Sequence, residues 1–248
     1  TAIGSAISFL AMLSHFCRKK NTLRLARPER LLCKLKKIAV TGFPTFFIDV
    51  AMGILTILFN RQIMVWLGTN ALAVYGVIVN ISTFVQCCAY SVGQASQPII
   101  STNFGAGKGE RIRETLKYAL GTVAFFSLFW TALSMLLPNV FIRFFMTPTT
   151  EVLGIAPSIF RCYGLSFLLL PLNIFSTYYF QALMKPRAAF IASMARGLVI
   201  SGVLIYLLPA VLGGNAIWFA MPATEVIVAF YVAREMAAYT KQLSKRKV

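Results

Sequence analysis

The sequence predicts an all-α, polytopic membrane protein, and three observations carry that reading. Of its 248 residues, 58% are hydrophobic and only 12% charged, with a mean hydropathy of +0.74. A soluble domain carries about a quarter charged residues. The apolar residues gather into stretches of the length a helix needs to cross a bilayer, about 20 residues. Of the 24 basic residues, 20 fall in alternate joints between those stretches or at the C-terminus. This composition excludes a disordered tail and a fibrous repeat. A net charge of +17 would suit nucleic acid if the basic residues formed one patch. They are scattered, so a nucleic-acid partner is not expected.

Taken in order, the apolar stretches lie at 1–17, 38–66, 71–102, 117–137, 152–184, 188–212 and 215–237. The joint 18–37 holds nine basic residues and one acid, Lys108 to Lys117 holds four, Lys185 and Arg187 make two, and Arg234 to Lys247 adds five. The intervening joints hold only Arg143. Cytoplasmic loops carry the Lys/Arg excess. Joints 18–37, 103–117 and 185–187 and the C-terminus are therefore expected in the cytoplasm, with 67–70, 138–151 and 213–214 outside. The first stretch is short for a crossing and begins without Met. It has no basic flank and no cleavage site, so it does not read as a signal peptide. It reads as the end of a longer helix.

The stretches are not plain anchors. Pro44, Pro98, Pro157, Pro171, Pro209 and Pro222 lie in them or at their ends, and each removes a helical hydrogen bond. Carbonyls freed in this way must find partners in a protein-packed or wet interior. Stretch 71–102 carries Asn80, Gln86, Ser91, Gln94, Ser96 and Gln97, and stretch 152–184 carries Asn173, Ser176, Thr177, Tyr178, Tyr179 and Gln181. Such residues can glue helices together or line a polar cavity. Long, bent, polar-flecked spans fit a moving transporter better than a static anchor.

Two acids sit well inside apolar runs, Asp49 and Glu225. A carboxylate there costs about 2.5 kcal/mol or more on insertion scales, so it faces the bundle interior with a partner or a task. It could exchange a proton or join a sodium site, which makes Asp49 and Glu225 the coupling-ion candidates. The alternative is a structural ion pair with Arg61, Arg161 or Arg196. Asp49 and Arg61 stand about 18 Å apart along one helix and cannot pair within it.

The usual chemistry of enzymes is missing from the pattern. His15 is the lone histidine, and Cys17, Cys33, Cys87, Cys88 and Cys162 show no metal-ligand or redox spacing. Gly105-Ala106-Gly107-Lys108-Gly109 lacks the spacing of a phosphate loop. Neither an enzyme, nor a metal, nor any cofactor beyond a coupling Na+ or H+ is expected.

The run Ser91-Val92-Gly93-Gln94-Ala95-Ser96-Gln97-Pro98-Ile99-Ile100-Ser101-Thr102-Asn103-Phe104-Gly105-Ala106-Gly107, followed by the basic Lys108 to Arg113, resembles the multidrug and toxic-compound extrusion (MATE) family. Gly68-Thr69-Asn70-Ala71-Leu72-Ala73-Val74-Tyr75 is similar to that family's short outer turn. Tyr179-Phe180-Gln181-Ala182-Leu183-Met184-Lys185, with Arg196 beyond, is similar to its joint between the fourth and fifth helices of a lobe. The resemblance implies twelve helices in two six-helix lobes that rock between inward and outward states. By it, residues 1–17 end the last helix of a first lobe and 18–37 form the basic inter-lobe loop. Residues 38–240 form the second six-helix lobe and 241–248 a basic cytoplasmic tail. One departure is visible. Where family members place an acid about eight residues after the seventh-helix proline, this chain has Met52.

The leading functional expectation is half of an ion-coupled efflux antiporter for small organic cations in the bacterial plasma membrane. Its partners would be the bilayer, the substrate and the first lobe. Asp49, Asn80, Gln94, Gln97, Asn173 and Tyr178 are the expected cavity residues, with aromatic faces available to a cation. A lipid-linked oligosaccharide flippase of the same superfamily would instead use Arg61, Arg161 and Arg196 to hold pyrophosphate. A non-transport membrane scaffold is the third reading.

Overall fold

The computed structural model describes the backbone of residues 2–17 and 31–245 and the side chains of residues 3–14, 32, 35 and 50–243. Among the described residues there is no strand. The chain divides into two units, Thr1–Phe43 and Pro44–Val248. The first contains helix α1 (Ala2–Cys17) and the start of α2 (Leu31–Gly105). Ile3, Ile7, Phe9, Leu10 and Met12 of α1 are all exposed, as an apolar helix in contact with lipid would leave them.

The second unit is a bundle of hairpins, and the first is made inside α2. At Gly68 the backbone takes φ 78°, ψ −171°, a region open essentially to glycine alone. Phe59 and Tyr75 flank this break with ring centroids 4.6 Å apart, whereas one straight helix would separate them by about 24 Å. The chain therefore folds back at Gly68, and α2 supplies two antiparallel spans.

Each later joint has its own chemical cause. After Gly105 the amides of Ala106 and Lys108 close on the carbonyls of Thr102 and Asn103 at 3.1 and 2.9 Å, which satisfies the helix end before α3 (Gly109–Leu136). Pro138 opens α4 (Pro138–Phe145), a short helix within the stretch that the sequence presents as an outer joint. Thr149 caps α5 (Thr150–Gly164), its hydroxyl accepting from the Val152 amide at 3.3 Å. A 3-10 turn, Leu165–Leu168, carries the span into α6 (Leu170–Ala182), with Pro171 in its first turn. Pro186 opens α7 (Pro186–Met194), where its missing N–H costs nothing. Beyond α7 lies a π-helical turn, Ala195–Val199, and then α8 (Ile200–Leu212). Gly213 and a 3-10 turn, Gly214–Phe219, lead to α9 (Ala220–Lys245).

Among the described residues, five helical segments are long and apolar enough to cross a membrane: Val50–Gly105, Gly109–Leu136, Thr150–Ala182, Pro186–Leu212 and Gly214–Leu243. The first contains the fold-back. Two cores fill the bundle. Toward the Gly68 end, Phe59, Ile63, Ile78, Phe160, Phe167 and Trp218 pack together. Toward the other end, Ile100, Ile112, Phe175, Phe180, Val232 and Met236 do so. On α3 the buried positions Leu116, Ala119, Val123, Ser127, Thr131 and Ser134 recur at helical spacing. Several of these are small, which lets backbones approach in lipid. The outward faces are apolar, with Phe125, Leu128, Phe129, Val203, Leu207 and Phe230 exposed.

Candidate functional site

Glu225 lies on α9 between Met221 of one core and Val228 of the other, and none of its surface is exposed. Among the described residues, two partners hold it. Arg196 Nε donates to Glu225 Oε1 at 2.9 Å, and Asn173 Nδ2 donates to Glu225 Oε2 at 2.6 Å. Asn173 Nδ2 also lies 2.9 Å from the Glu225 main-chain carbonyl, so one amide group ties α6 to both side chain and backbone of α9. The Asn173 Oδ1 atom is buried without a hydrogen-bond partner among the described residues.

Arg196 owes its position to the π-helical turn, which spreads the helix at that point; such bulges occur often at functional sites. Ser201 Oγ donates to the Arg196 carbonyl at 2.8 Å. The pairing answers a strong physical demand, since a lone buried charge is far costlier than a hydrogen-bonded pair. Of the three arginines in apolar runs, Arg196 is the one paired with Glu225. Arg61 and Arg161 are exposed, and only Arg196 of the three lines the cleft described next.

The cleft opens beside this centre and holds about 90 Å³. Thr56 and Thr83, Ser82 and Gln86 of α2, Tyr163 of α5 and Ser166 of the following turn give it polar walls. The Ser82 hydroxyl is buried and interacts with that of Tyr163. An aromatic knot adjoins the cleft. Phe59 meets Tyr75 face to face, Tyr163 meets both edge-on at 6.3 and 6.1 Å, and Trp218 lies 6.4 and 6.3 Å from the same two rings.

Around the cleft the surface changes character. Asn80, Thr83, Cys87, Tyr90, Ser91 and Gln94 are exposed at spacings of one to four residues along the second half of α2, and helical geometry gathers them on one side. Tyr178 stands next to this stripe, edge-on to Tyr90 at 6.2 Å. It fits there because Gly93 has no side chain: a Cβ on Gly93 would lie 2.5 Å from Tyr178 Cδ2.

The residues singled out from the sequence thus separate into groups. Glu225 and Asn173 meet directly, and they meet at the arginine named for another reason. Asn80 and Gln94 lie on the exposed stripe, the Asn80 amide donating to the Gly76 carbonyl at 2.9 Å. Gln97 reaches Gln181 at 3.5 Å and lines a different depression, of about 530 Å³, near the Gly105 end of the helix. Asp49 lies outside the described residues as far as its side chain is concerned, although α2 runs through it. Thr56, Ser82, Tyr163 and Ser166 escaped the sequence reading. Each is a common helix residue, and only the meeting of separate spans gives it a shared purpose.

A family model described as MatE matches residues 44–207, more than half of the chain. The multidrug export protein MepA of Staphylococcus saprophyticus subsp. saprophyticus is 24% identical over 233 residues, covering 92% of this chain and 50% of that protein. A solved structure described as the outward-facing conformation of a multidrug resistance MATE family transporter of the MOP superfamily superposes with a TM-score of 0.82 at 19% identity, over 97% of this chain and 55% of that one. A MATE structure in the straight conformation gives 0.81 at 19% identity, with the same coverage of 97% and 55%. The chain spans about half the length of the relatives it matches.

Proposed function

The chain belongs to the MatE family of multidrug efflux transporters, and from that premise we propose that it acts as the second lobe of an ion-coupled antiporter. The other lobe belongs to the same protein. Together they export small organic cations by alternating access, in exchange for Na+ or H+. The protein is multi-pass in the bacterial plasma membrane, with the basic joints and the C-terminus in the cytoplasm, as the alternation of Lys and Arg supports.

The observation that carries this reading is the polar stripe from Asn80 to Gln94 on a bundle that elsewhere exposes large apolar side chains such as Phe125, Leu128, Val203 and Phe230. Lipid cannot hydrogen-bond such a stripe, so it belongs against water or protein. It adjoins the cleft that leads to the buried Arg196–Glu225 pair. Tyr90 and Tyr178 at its edge offer ring faces to a cation. A proton or sodium ion reaching Glu225 would weaken its bond to Arg196. The unpartnered Asn173 Oδ1 atom could then accept a hydrogen bond from a protonated Glu225. Asp49 remains a second coupling candidate on its sequence position. The pyrophosphate-carrying alternative is disfavoured, because Arg61 and Arg161 do not line the cleft with Arg196.

The test is flux of a fluorescent organic cation in proteoliposomes containing the two-lobed protein, with sodium and proton gradients imposed separately. One gradient should drive uphill movement of the dye, and Glu225→Gln or Asp49→Asn should abolish that dependence. Flux indifferent to both gradients would overturn the coupled mechanism.

A further inference from the structure

Another hollow, of about 580 Å³, lies between α3, α9 and the start of α6. Leu120 and Ala124 of α3, Leu168 and Leu172 beside and within α6, and Ala233 and Met236 of α9 form its walls. Apart from Ser127 its lining residues are apolar, and none comes from α2, which carries the polar stripe. Ala124, Leu168 and Ala233 are exposed, so this groove opens to whatever surrounds the bundle. Seven residues turn a helix by about 700°, which brings a side chain back to nearly the same side. Seven residues from Leu120, Leu172 and Ala233, toward the basic joints, stand Arg113, Tyr179 and Thr240. These three converge: the hydroxyls of Tyr179 and Thr240 share a 2.7 Å hydrogen bond, and the charge of Arg113 acts on Tyr179. Lys117, on α3 between Arg113 and Leu120, and Lys241, next to Thr240, are exposed. Among the described residues no acid lies within ion-pair distance of these three bases. The apolar groove therefore ends at a patch of positive charge.

An occupant that matches this shape has an apolar tail and an anionic head. From Lys117 to Leu128 α3 rises about 16 Å, and one leaflet of a hydrocarbon core is about 15 Å deep. The groove thus runs the depth of a leaflet, with its bases at the level of the headgroups. Lys and Arg reach that level by laying their stems along apolar surface. We propose that the groove holds one phospholipid with an anionic headgroup, its tail against α3, α6 and α9 and its phosphate at Arg113 and Lys117. An organic cation does not suit the site, because the bases at its mouth repel it. The proposal needs only that the bundle cross a bilayer, so it stands apart from the transport reading. Lipid tails are as apolar as the groove itself, so the choice among lipids falls to the head. Because three spans share the tail, the bound lipid clasps α3 to α6 and α9.

The experiment titrates the two-lobed protein in detergent with phosphatidylglycerol or phosphatidylcholine of identical chains. Native mass spectrometry gives Kd for the first lipid bound, and the quantity read is the preference for phosphatidylglycerol. A base near the headgroups contributes about fivefold, so Arg113→Gln and Lys117→Gln should each lower that preference about fivefold. Arg111→Gln removes the same charge from the far side of α3, about 200° round from Arg113, and should leave the preference unchanged. Ala124→Phe intrudes on the groove from an exposed position. It should weaken both lipids roughly threefold through lost tail contacts, with the preference kept. Lys117 and Ala124 are exposed, so their variants decide the matter even if the half-buried Arg113 is needed for folding. Equal affinity for the two lipids, or an effect of Arg111→Gln as large as that of Lys117→Gln, would overturn the site. So would displacement of phosphatidylglycerol by glycerol 3-phosphate, which would make it a site for a free anion. A dimer mass that Ala124→Phe abolishes would assign the groove to a second copy and overturn it too.

Discussion

Arg196 and Glu225, 29 residues apart in sequence, meet at 2.9 Å around a carboxylate with no exposed surface. Removing one partner strands the other, which costs about 3–5 kcal/mol for buried pairs. Arg196→Leu should therefore lower the thermal unfolding midpoint of the detergent-solubilised protein far more than Arg196→Leu combined with Glu225→Leu does. Equal losses in the single and double variants would mean that the pair contributes nothing specific.

Gly68 permits the fold-back of α2 through a backbone region that other residues enter at a cost of about 1–3 kcal/mol. Gly68→Ala should reduce stability by that amount. Gly121→Ala, where an added Cβ meets nothing within 4 Å, should be neutral or mildly stabilising, as expected for glycine in a helix interior. Unfolding curves of the two variants measured side by side check the contrast.

Gly93 and Tyr178 should be energetically coupled. Gly93→Ala places a methyl 2.5 Å from the tyrosine ring and should cost about 1–3 kcal/mol as overpacking. Adding Tyr178→Ala should recover part of that loss, and a double-mutant cycle should return a coupling above about 0.5 kcal/mol. Simple additivity would show that the ring moves aside freely.

Single cysteines in a cysteine-free background should report the threading. A thiol at Thr147 should react with an impermeant maleimide added outside intact cells. One at Ala106, beside the basic start of α3, should react only after the membrane is opened. Both positions are exposed in the structure, so silence at either would reflect sidedness rather than burial.

The sequence made the spans visible because a bilayer imposes length and composition on each helix separately. It also made the fold-back at Gly68 visible as a joint, since the apolar pattern breaks there. What it could not convey is which groups meet. Glu225 had three arginines to choose from, and only the crossing of α9 with the π-helical turn selects Arg196. Gln97 and Asn173 look equivalent as amides in long apolar stretches, yet one is half-exposed near a helix end and the other buried against Glu225. The short α4 was hidden for a different reason. Its eight residues are too few to display a span, so the stretch reads as a joint by default.

The π-helical turn at Ala195–Val199 has an implication for how this lobe tolerates insertions and deletions. One residue advances a helix by about 100°. Deleting a single residue there would restore ordinary α-helical bonding and yield a tidier rod. Everything downstream would then be dialled round, carrying the buried Ser201, Ile205 and Pro209 away from the neighbours they now touch. The irregularity is thus a phase-setting spacer, and the more regular helix would make the poorer lobe.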